Sequence, residues 1–223
     1  MKFERAWTGN WENAFHGLRH PMESYAKSDS YAGYSDRYHK NMFVVGPNDM
    51  NLAQRMIAAG TPNDKFIRQI PVSVDITAPL YWWKEMDTYK VATVANSTST
   101  MHKLASTPIT LDCFETDDLN EWMELNEQPL NYGFEAIIQY CEDLRKKYFE
   151  TKDIRYWKEL IRWLPEGWLQ TRTWTANYST LRNIIHWRST HKLTEWHQFV
   201  NWCRTLPYAD EMLFYANEPG KDG

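Results

Sequence analysis

The chain has 223 residues, with 25 Lys and Arg against 29 Asp and Glu, a formal charge of −4. That length buries a core without staples, and 43% hydrophobic against 24% charged residues exclude a disordered, collagen-like or disulfide-framework chain. A mildly acidic balance also argues against a nucleic-acid partner, which needs a basic face.

Residues 28–40 are polar, aromatic and Gly-containing, and read as a loop. Met50–Ala59 has the spacing of a short amphipathic helix stopped by Gly60. Val72, Val74 and Ile76 alternate with Ser73, Asp75 and Thr77, which predicts a half-buried strand ended at Ala78-Pro79. Thr116-Asp117-Asp118 starts a predicted helix that runs to Gln128-Pro129. Phe134, Ile137, Ile138, Cys141, Leu144 and Tyr148 follow helical spacing over residues 131–149. Another helix is predicted over 153–163, closed by Leu164-Pro165. Thr180–Arg204 is a long helical stretch with a break at Ser189-Thr190, residue types that favour caps over helix interiors. There is no internal repeat and no linker, so one α+β domain over 1–223 is expected.

Cys113, Cys141 and Cys203 are far apart and odd in number, which suits a reducing cytoplasm. The start, Met1 to Trp7, carries no apolar h-region, and no apolar run reaches the length of a membrane span. The seven His include no HExxH, and His186, His191 and His197 stand five and six residues apart, the wrong spacing for one helical face, so no metal is expected.

Two segments carry chemistry. Leu181, Ile184 and Ile185 define the buried stripe of the C-terminal helix, and Arg188 shares it at i+7 and i+4. Burying a guanidinium without a partner is costly. A structural carboxylate, a subunit interface or a bound ligand would satisfy it, and so would snorkelling to the helix edge. The second segment is Ala78–His102, where Trp82-Trp83 lead into the small polar run Thr93–Thr100 with Asn96, Ser97 and Ser99. Hydroxyls and an amide beside aromatics suit a nucleotide or flavin pocket, or equally a polar turn over a Trp-rich core.

Together these segments resemble the flavin-dependent thymidylate synthase family over about residues 60–205. The C-terminal match is Leu164-Pro165, eleven residues, then Asn177-Tyr-Ser-Thr-Leu-Arg-Asn183-Ile-Ile-His-Trp-Arg188-Ser-Thr-His191. In the middle, the strand Val72–Thr77, Ala78-Pro79, Glu85 and Thr88-Tyr89-Lys90 keep the family's register. Asn96 and Ser99 fit its later run with one inserted residue, and residues 1–50 do not align.

The resemblance implies an α+β fold with helices packed on a small, mostly antiparallel sheet, assembled as a homotetramer. It implies FAD as cofactor, with methylenetetrahydrofolate and NADPH as co-substrates, and transfer of a one-carbon unit to C5 of dUMP. By position, Arg188 matches the Arg that contacts the pyrimidine and favours its ionised form. Thr88, Tyr89, Lys90, Asn177, Asn183 and His191 match flavin-binding positions. Glu85, Asn96 and Ser99 match nucleotide-binding positions. No Cys nucleophile is implied, and Cys113, flanked by Asp112 and Glu115, is a poor thiolate.

The departures are specific. Only Lys90 keeps a cation in the family's Arg-His-Arg triplet, and Lys is not a bidentate replacement for Arg. The phosphate-binding Arg is replaced by Thr100 or Met101. Ile161 stands where the Arg before Leu164 is expected, with Arg162 beside it, and Ser179 replaces the second Arg of Asn-x-Arg. These losses open two alternatives to dTMP formation. One is an altered base or product, such as hydroxymethylation; the other is a non-catalytic nucleotide-binding relative. In the latter a local basic run, Arg145-Lys146-Lys147, would count, although such a run is usually a solvated face. The 12 Trp are expected in the core and subunit interfaces, with Trp82 and Trp83 as the two that would wall a ligand pocket.

Overall fold

The computed structural model describes residues 1–100, 104–116, 124–125 and 128–219. In chain order the elements are β1 (Lys2–Thr8), α1 (Trp11–Arg19), β2 (Tyr31–Ser35), β3 (Lys40–Val44), α2 (Pro47–Ala59), β4 (Pro71–Pro79), α3 (Leu80–Met86) and β5 (Val94–Ser97). There follow β6 (Glu124–Leu125), β7 (Gln128–Pro129), α4 (Leu130–Thr151), α5 (Ile154–Trp163), β8 (Leu169–Asn177), α6 (Tyr178–Arg188) and α7 (Thr194–Cys203). A single turn of π-helix, Ala209–Leu213, closes the described chain. The protein is α+β, with a four-stranded sheet of order β1-β4-β8-β5.

The backbone gathers into two compact units. The first comprises Met1–Lys2, Ile76–Thr88 and Asn96–Arg172. The second comprises Phe3–Asp75, Tyr89–Ala95 and the chain from Thr173 onward.

In the first unit, Leu104, Ile109, Phe114, Ile138, Cys141, Leu144 and Leu160 form one apolar cluster. Three of these are the residues whose helical spacing predicts α4 (Ile138, Cys141 and Leu144), so that face is the one buried. Asp153 caps α5, its side chain accepting from the Arg155 amide at 2.9 Å. Trp82 and Trp83 are fully buried and meet edge to face at 4.9 Å. They are core, so the expectation that they wall a ligand pocket is corrected. The α3 register turns both rings inward, and the Trp83 indole donates to the Gln170 carbonyl at 3.0 Å.

In the second unit, Trp11, Phe15, Phe66, Ile67, Ile70, Tyr178, Leu181, Ile184, Trp196, Phe199 and Met212 are buried together. The buried cation of this unit is Arg19, 5% exposed, beside the fully buried Asp49. Asp49 accepts from Arg19 Nε at 2.7 Å, from the Ser28 and Ser30 hydroxyls at 2.7 and 2.6 Å, and from two backbone amides. Burial works to raise its pKa, but the hydrogen bonds from Ser30, Ser28 and Arg19 outweigh that and lower it. Residues 1–50, silent by resemblance, are therefore organised around a satisfied buried ion pair.

The paired strands β4 and β8 run antiparallel. Their shared polar face joins Thr77 to Thr171 at 2.7 Å within the first unit. Within the second it joins Asp75 to Thr173 and Ser73 to Thr175. The predicted strand over 72–77 is this β4, extended at both ends.

Two local expectations fail. Residues 31–44 are a hairpin and not a loop: β2 pairs antiparallel with β3 from Tyr31↔Val44 to Ser35↔Lys40. Its one fully buried side chain is Ser35 and its apolar residues Met42, Phe43 and Val44 are consecutive and half-buried, so no alternating buried stripe marks it, while the backbone satisfies its own donors. The helix expected from Thr116 to Pro129 lies mostly outside the described residues. Its described end is the two-residue antiparallel pair β6–β7, because Gln128-Pro129 is an extended dipeptide. The helices over 131–149 and 153–163 hold, and the stretch 180–204 breaks between α6 and α7 as the Ser189-Thr190 dipeptide predicts.

Candidate functional site

The α6 helix orders the site in the second unit. Asn177 is its N-cap, its side-chain oxygen accepting from the Thr180 amide at 2.9 Å. Leu181, Ile184 and Ile185 are buried, and one turn later Arg188 is half-buried on the same stripe. Its place in the last turn also puts a cation at the negative end of the helix dipole.

Arg188 is held from two directions. Its Nε donates to Tyr89 Oη at 2.8 Å. Its guanidinium lies 4.8 Å from the centroid of Trp196 and 5.5 Å from that of Tyr89, a cation–π geometry. The rings of Tyr89 and Trp196 stand 6.1 Å apart and steeply tilted. His191 adds a fourth member, its ring edge-on to Trp196 at 6.2 Å. The Leu193 amide donates to His191 Nδ1 at 3.1 Å, which leaves the proton of a neutral ring on Nε2. The Arg188 side chain is thus a fixed cation among three flat rings.

The other expected residues of this unit are more dispersed. Lys90 is exposed on the segment that follows Tyr89, and Asn183 is exposed on α6. The Asn177 side-chain oxygen works as a helix cap. In the first unit, Glu85 lies in the last turn of α3 and Thr88 two residues beyond its end. The Thr88 amide and hydroxyl donate to the Glu85 carbonyl at 3.0 and 2.7 Å. Asn96 is exposed on β5 and Ser99 is half-buried. Thr98, between them, is pinned to β8: its amide donates to the Thr171 carbonyl at 2.9 Å, and its carbonyl accepts from Gln170 Nε2 at 2.8 Å.

Sequence reasoning missed part of this. It read Trp196 as core only. It missed Arg172, which lies on the unrecognised strand β8. Arg172 sits 4.3 Å above the Trp83 ring, donates to Asp87 at 2.8 and 3.1 Å, and donates to Gln170 at 2.9 Å. A strand whose outward positions are Thr171, Thr173 and Thr175 offers no apolar alternation to find. Arg162, beside the position of a lost family Arg, pairs with Glu159 at the surface.

Two of the three thiols are inert by environment. Cys141 is fully buried and its thiol is pushed up to about 11; burial drives the Cys203 thiol well above its ordinary range. Among the described residues no cluster of three or more His, Cys, Asp or Glu is placed to hold a metal ion. Among them, too, no helix is long and apolar enough to cross a membrane.

No family model matches this sequence, and no curated protein does. Solved structures do. Helicobacter pylori flavin-dependent thymidylate synthase ThyX, complexed with FAD and dUMP, superposes with a TM-score of 0.65 at 16% identity. The match covers 98% of this chain and 100% of that one. The chain has the flavin-dependent thymidylate synthase fold. A second structure of the Helicobacter pylori enzyme with FAD and dUMP gives 0.63 at 16% identity, covering 93% and 94%. The Streptomyces cacaoi UMP/dUMP methylase PolB, bound with 5-Br UMP, gives 0.56 at 11% identity, covering 78% and 86%. The thymidylate synthase fold expected from the residue pattern over 60–205 therefore extends to residues 1–50, where no sequence match was legible.

Proposed function

We propose that this chain is an FAD-dependent enzyme that transfers a one-carbon unit from methylenetetrahydrofolate to C5 of a pyrimidine deoxynucleotide, with dUMP to dTMP as the default. The observation that carries the reading is Arg188, fixed by Tyr89 Oη and stacked on Trp196, at the position where the resemblance requires a pyrimidine-contacting cation. The fold neighbours are described with FAD and dUMP, or as a UMP/dUMP methylase, which supports the same class of ligands.

The donor set fits a flat ring with oxygen on its edge. Tyr89 and His191 are half-buried and offer ring faces and edges, Arg188 offers a cation, and the fully buried Trp196 backs the guanidinium. In this reading Thr88, Lys90, Asn177, Asn183 and His191 hold FAD, which once reduced by NADPH would supply hydride, while the Tyr89 hydroxyl faces Arg188. Glu85, Asn96 and Ser99 hold the nucleotide. Arg188 lies beside the pyrimidine, where a preorganised cation lowers the cost of negative charge on the ring. A ring in its ionised form is richer in electrons at C5, which suits attack on the folate methylene. This route needs no protein thiol, in keeping with the raised pKa values of Cys141 and Cys203. NADPH as reductant, a homotetrameric assembly and a cytoplasmic site of action belong to the same proposal.

A second reading, an altered base or product, is favoured by Ile161, Ser179 and Thr100 at positions where the resemblance calls for Arg. Phosphate is best gripped by the guanidinium fork, so these losses change how the nucleotide is held. Purified protein tests the common core of both readings. It should be yellow with a flavin spectrum, and protein that stays colourless after incubation with FAD overturns them. Rescue of a thymidine auxotroph then separates dTMP formation from an altered product.

A further inference from the structure

The position of Tyr89 in the Thr88-Tyr89-Lys90 triplet implies a flavin contact. The geometry points to a different role: we propose that Tyr89 is a positioning residue that presets Arg188 for the nucleotide. The inference rests on the pyrimidine role proposed for Arg188.

Three observations carry it. First, Nε of a guanidinium has a single hydrogen, and that of Arg188 is directed to Tyr89 Oη at 2.8 Å. Second, the Tyr89 segment is itself docked on the helix that bears Arg188. Near the start of α6 the Thr180 hydroxyl donates to the Val91 carbonyl at 3.1 Å. Near its end Arg188 reaches Tyr89, eight residues and about 12 Å further along the axis. The Thr93 hydroxyl donates to the Tyr89 carbonyl at 2.6 Å and closes the segment on itself, around Ala92 at φ 56°. Third, Trp196 lies 4.8 Å from the guanidinium, so ring stacking adds a second constraint to the hydrogen bond.

Arg is a flexible side chain, and fixing it costs rotamer entropy. When Tyr89 and Trp196 fix it before the nucleotide arrives, that cost no longer weakens binding. The resemblance places a cationic or imidazole triplet at 88–90 for the cofactor. This chain has instead turned its middle member toward the residue that meets the substrate.

Tyr89→Phe removes the hydroxyl and keeps the ring. The expected result is an FAD dissociation constant within about twofold of wild type and a dUMP dissociation constant raised about tenfold or more. In turnover, KM for dUMP should rise more than kcat falls, with the flavin spectrum unchanged. A loss of FAD affinity with dUMP affinity intact would overturn the proposal in favour of the positional reading. A second measurement needs no ligand. In the arginine Nε–H region of the 15N spectrum, the Arg188 signal (assigned with Arg188→Lys) should exchange slowly in wild type and fast in Tyr89→Phe. Slow exchange surviving in Tyr89→Phe would overturn the proposal. If wild type binds neither FAD nor dUMP, the functional reading falls, and this second result still decides whether Tyr89 fixes Arg188.

Discussion

Asp49→Asn is the sharpest test of how the first 50 residues fold. Asp49 is fully buried and Arg19 is 5% exposed, with Arg19 Nη2 2.6 Å from the carboxylate. The carboxylate also takes both Ser28 and Ser30 hydroxyls and the Asp29 and Ser30 amides at 3.3 and 3.2 Å. Asparagine removes the charge and turns an amide donor toward groups that are all donors. Arg19 is then a buried cation without a counter-charge, left with a neutral amide oxygen and the Lys27 carbonyl at 3.1 Å as acceptors. Breaking a buried pair on one side costs about 3–5 kcal/mol, which in a chain of this length lowers Tm by about 6–20 °C. Urea and thermal unfolding of wild type, Asp49→Asn, Arg19→Met and the double variant measure it. The double variant should lose less than the sum of the singles, because neither charge is left alone. The pH dependence follows the same cause. The Asp49 pKa is lowered in the fold, so its stabilisation is present above the ordinary carboxylate range and disappears as pH falls through the lowered value. Asp49→Asn should therefore flatten the acid limb of the stability curve. A loss below about 1 kcal/mol, with an unchanged acid limb, refutes this reasoning.

Other variants test the remaining assignments. Arg188→Ala should lower kcat/KM by about a hundredfold or more while leaving far-UV circular dichroism and Tm close to wild type; activity within tenfold of wild type would remove Arg188 from the mechanism. Arg182 donates to the carbonyls of Met212, Leu213, Tyr215 and Ala216, so Arg182→Met should cost about 2–4 kcal/mol in urea unfolding. Asn177→Ala should cost about 1 kcal/mol without any ligand, since its side chain caps α6. The Cys141 thiol at about 11 holds only about one part in ten thousand as thiolate at pH 7. Maleimide should therefore label Cys141 and Cys203 only after unfolding, and native-state labelling of either contradicts their burial.

Legibility followed periodicity and broke down where polar groups or distant chain segments did the folding. Val72, Val74 and Ile76 announced β4 because alternate residues are buried there. The strand β8 was invisible because its inward positions include Gln170 and its outward ones are hydroxyls that bond to β4 across about a hundred residues. The β2–β3 hairpin is stabilised by backbone pairing under exposed Tyr31 and Tyr34, so its sequence reads as loop. Arg188 was legible as a cation on an apolar stripe, but its partners were not. Tyr89 comes from 99 residues earlier, and Trp196 looked like any core ring. Trp82 and Trp83 show the converse: proximity to a polar run suggested a pocket, and helix register buried them.

One assay decides whether this chain transfers a one-carbon unit to a pyrimidine. Purified protein is incubated with FAD, NADPH, dUMP and methylenetetrahydrofolate carrying isotope in its methylene carbon, and the nucleotide is analysed by mass spectrometry. The labelled carbon should appear on C5 of the pyrimidine, as methyl or in an altered product, and Arg188→Ala should abolish the transfer. An unlabelled nucleotide from flavin-loaded protein, or equal labelling by Arg188→Ala, would contradict the proposed function.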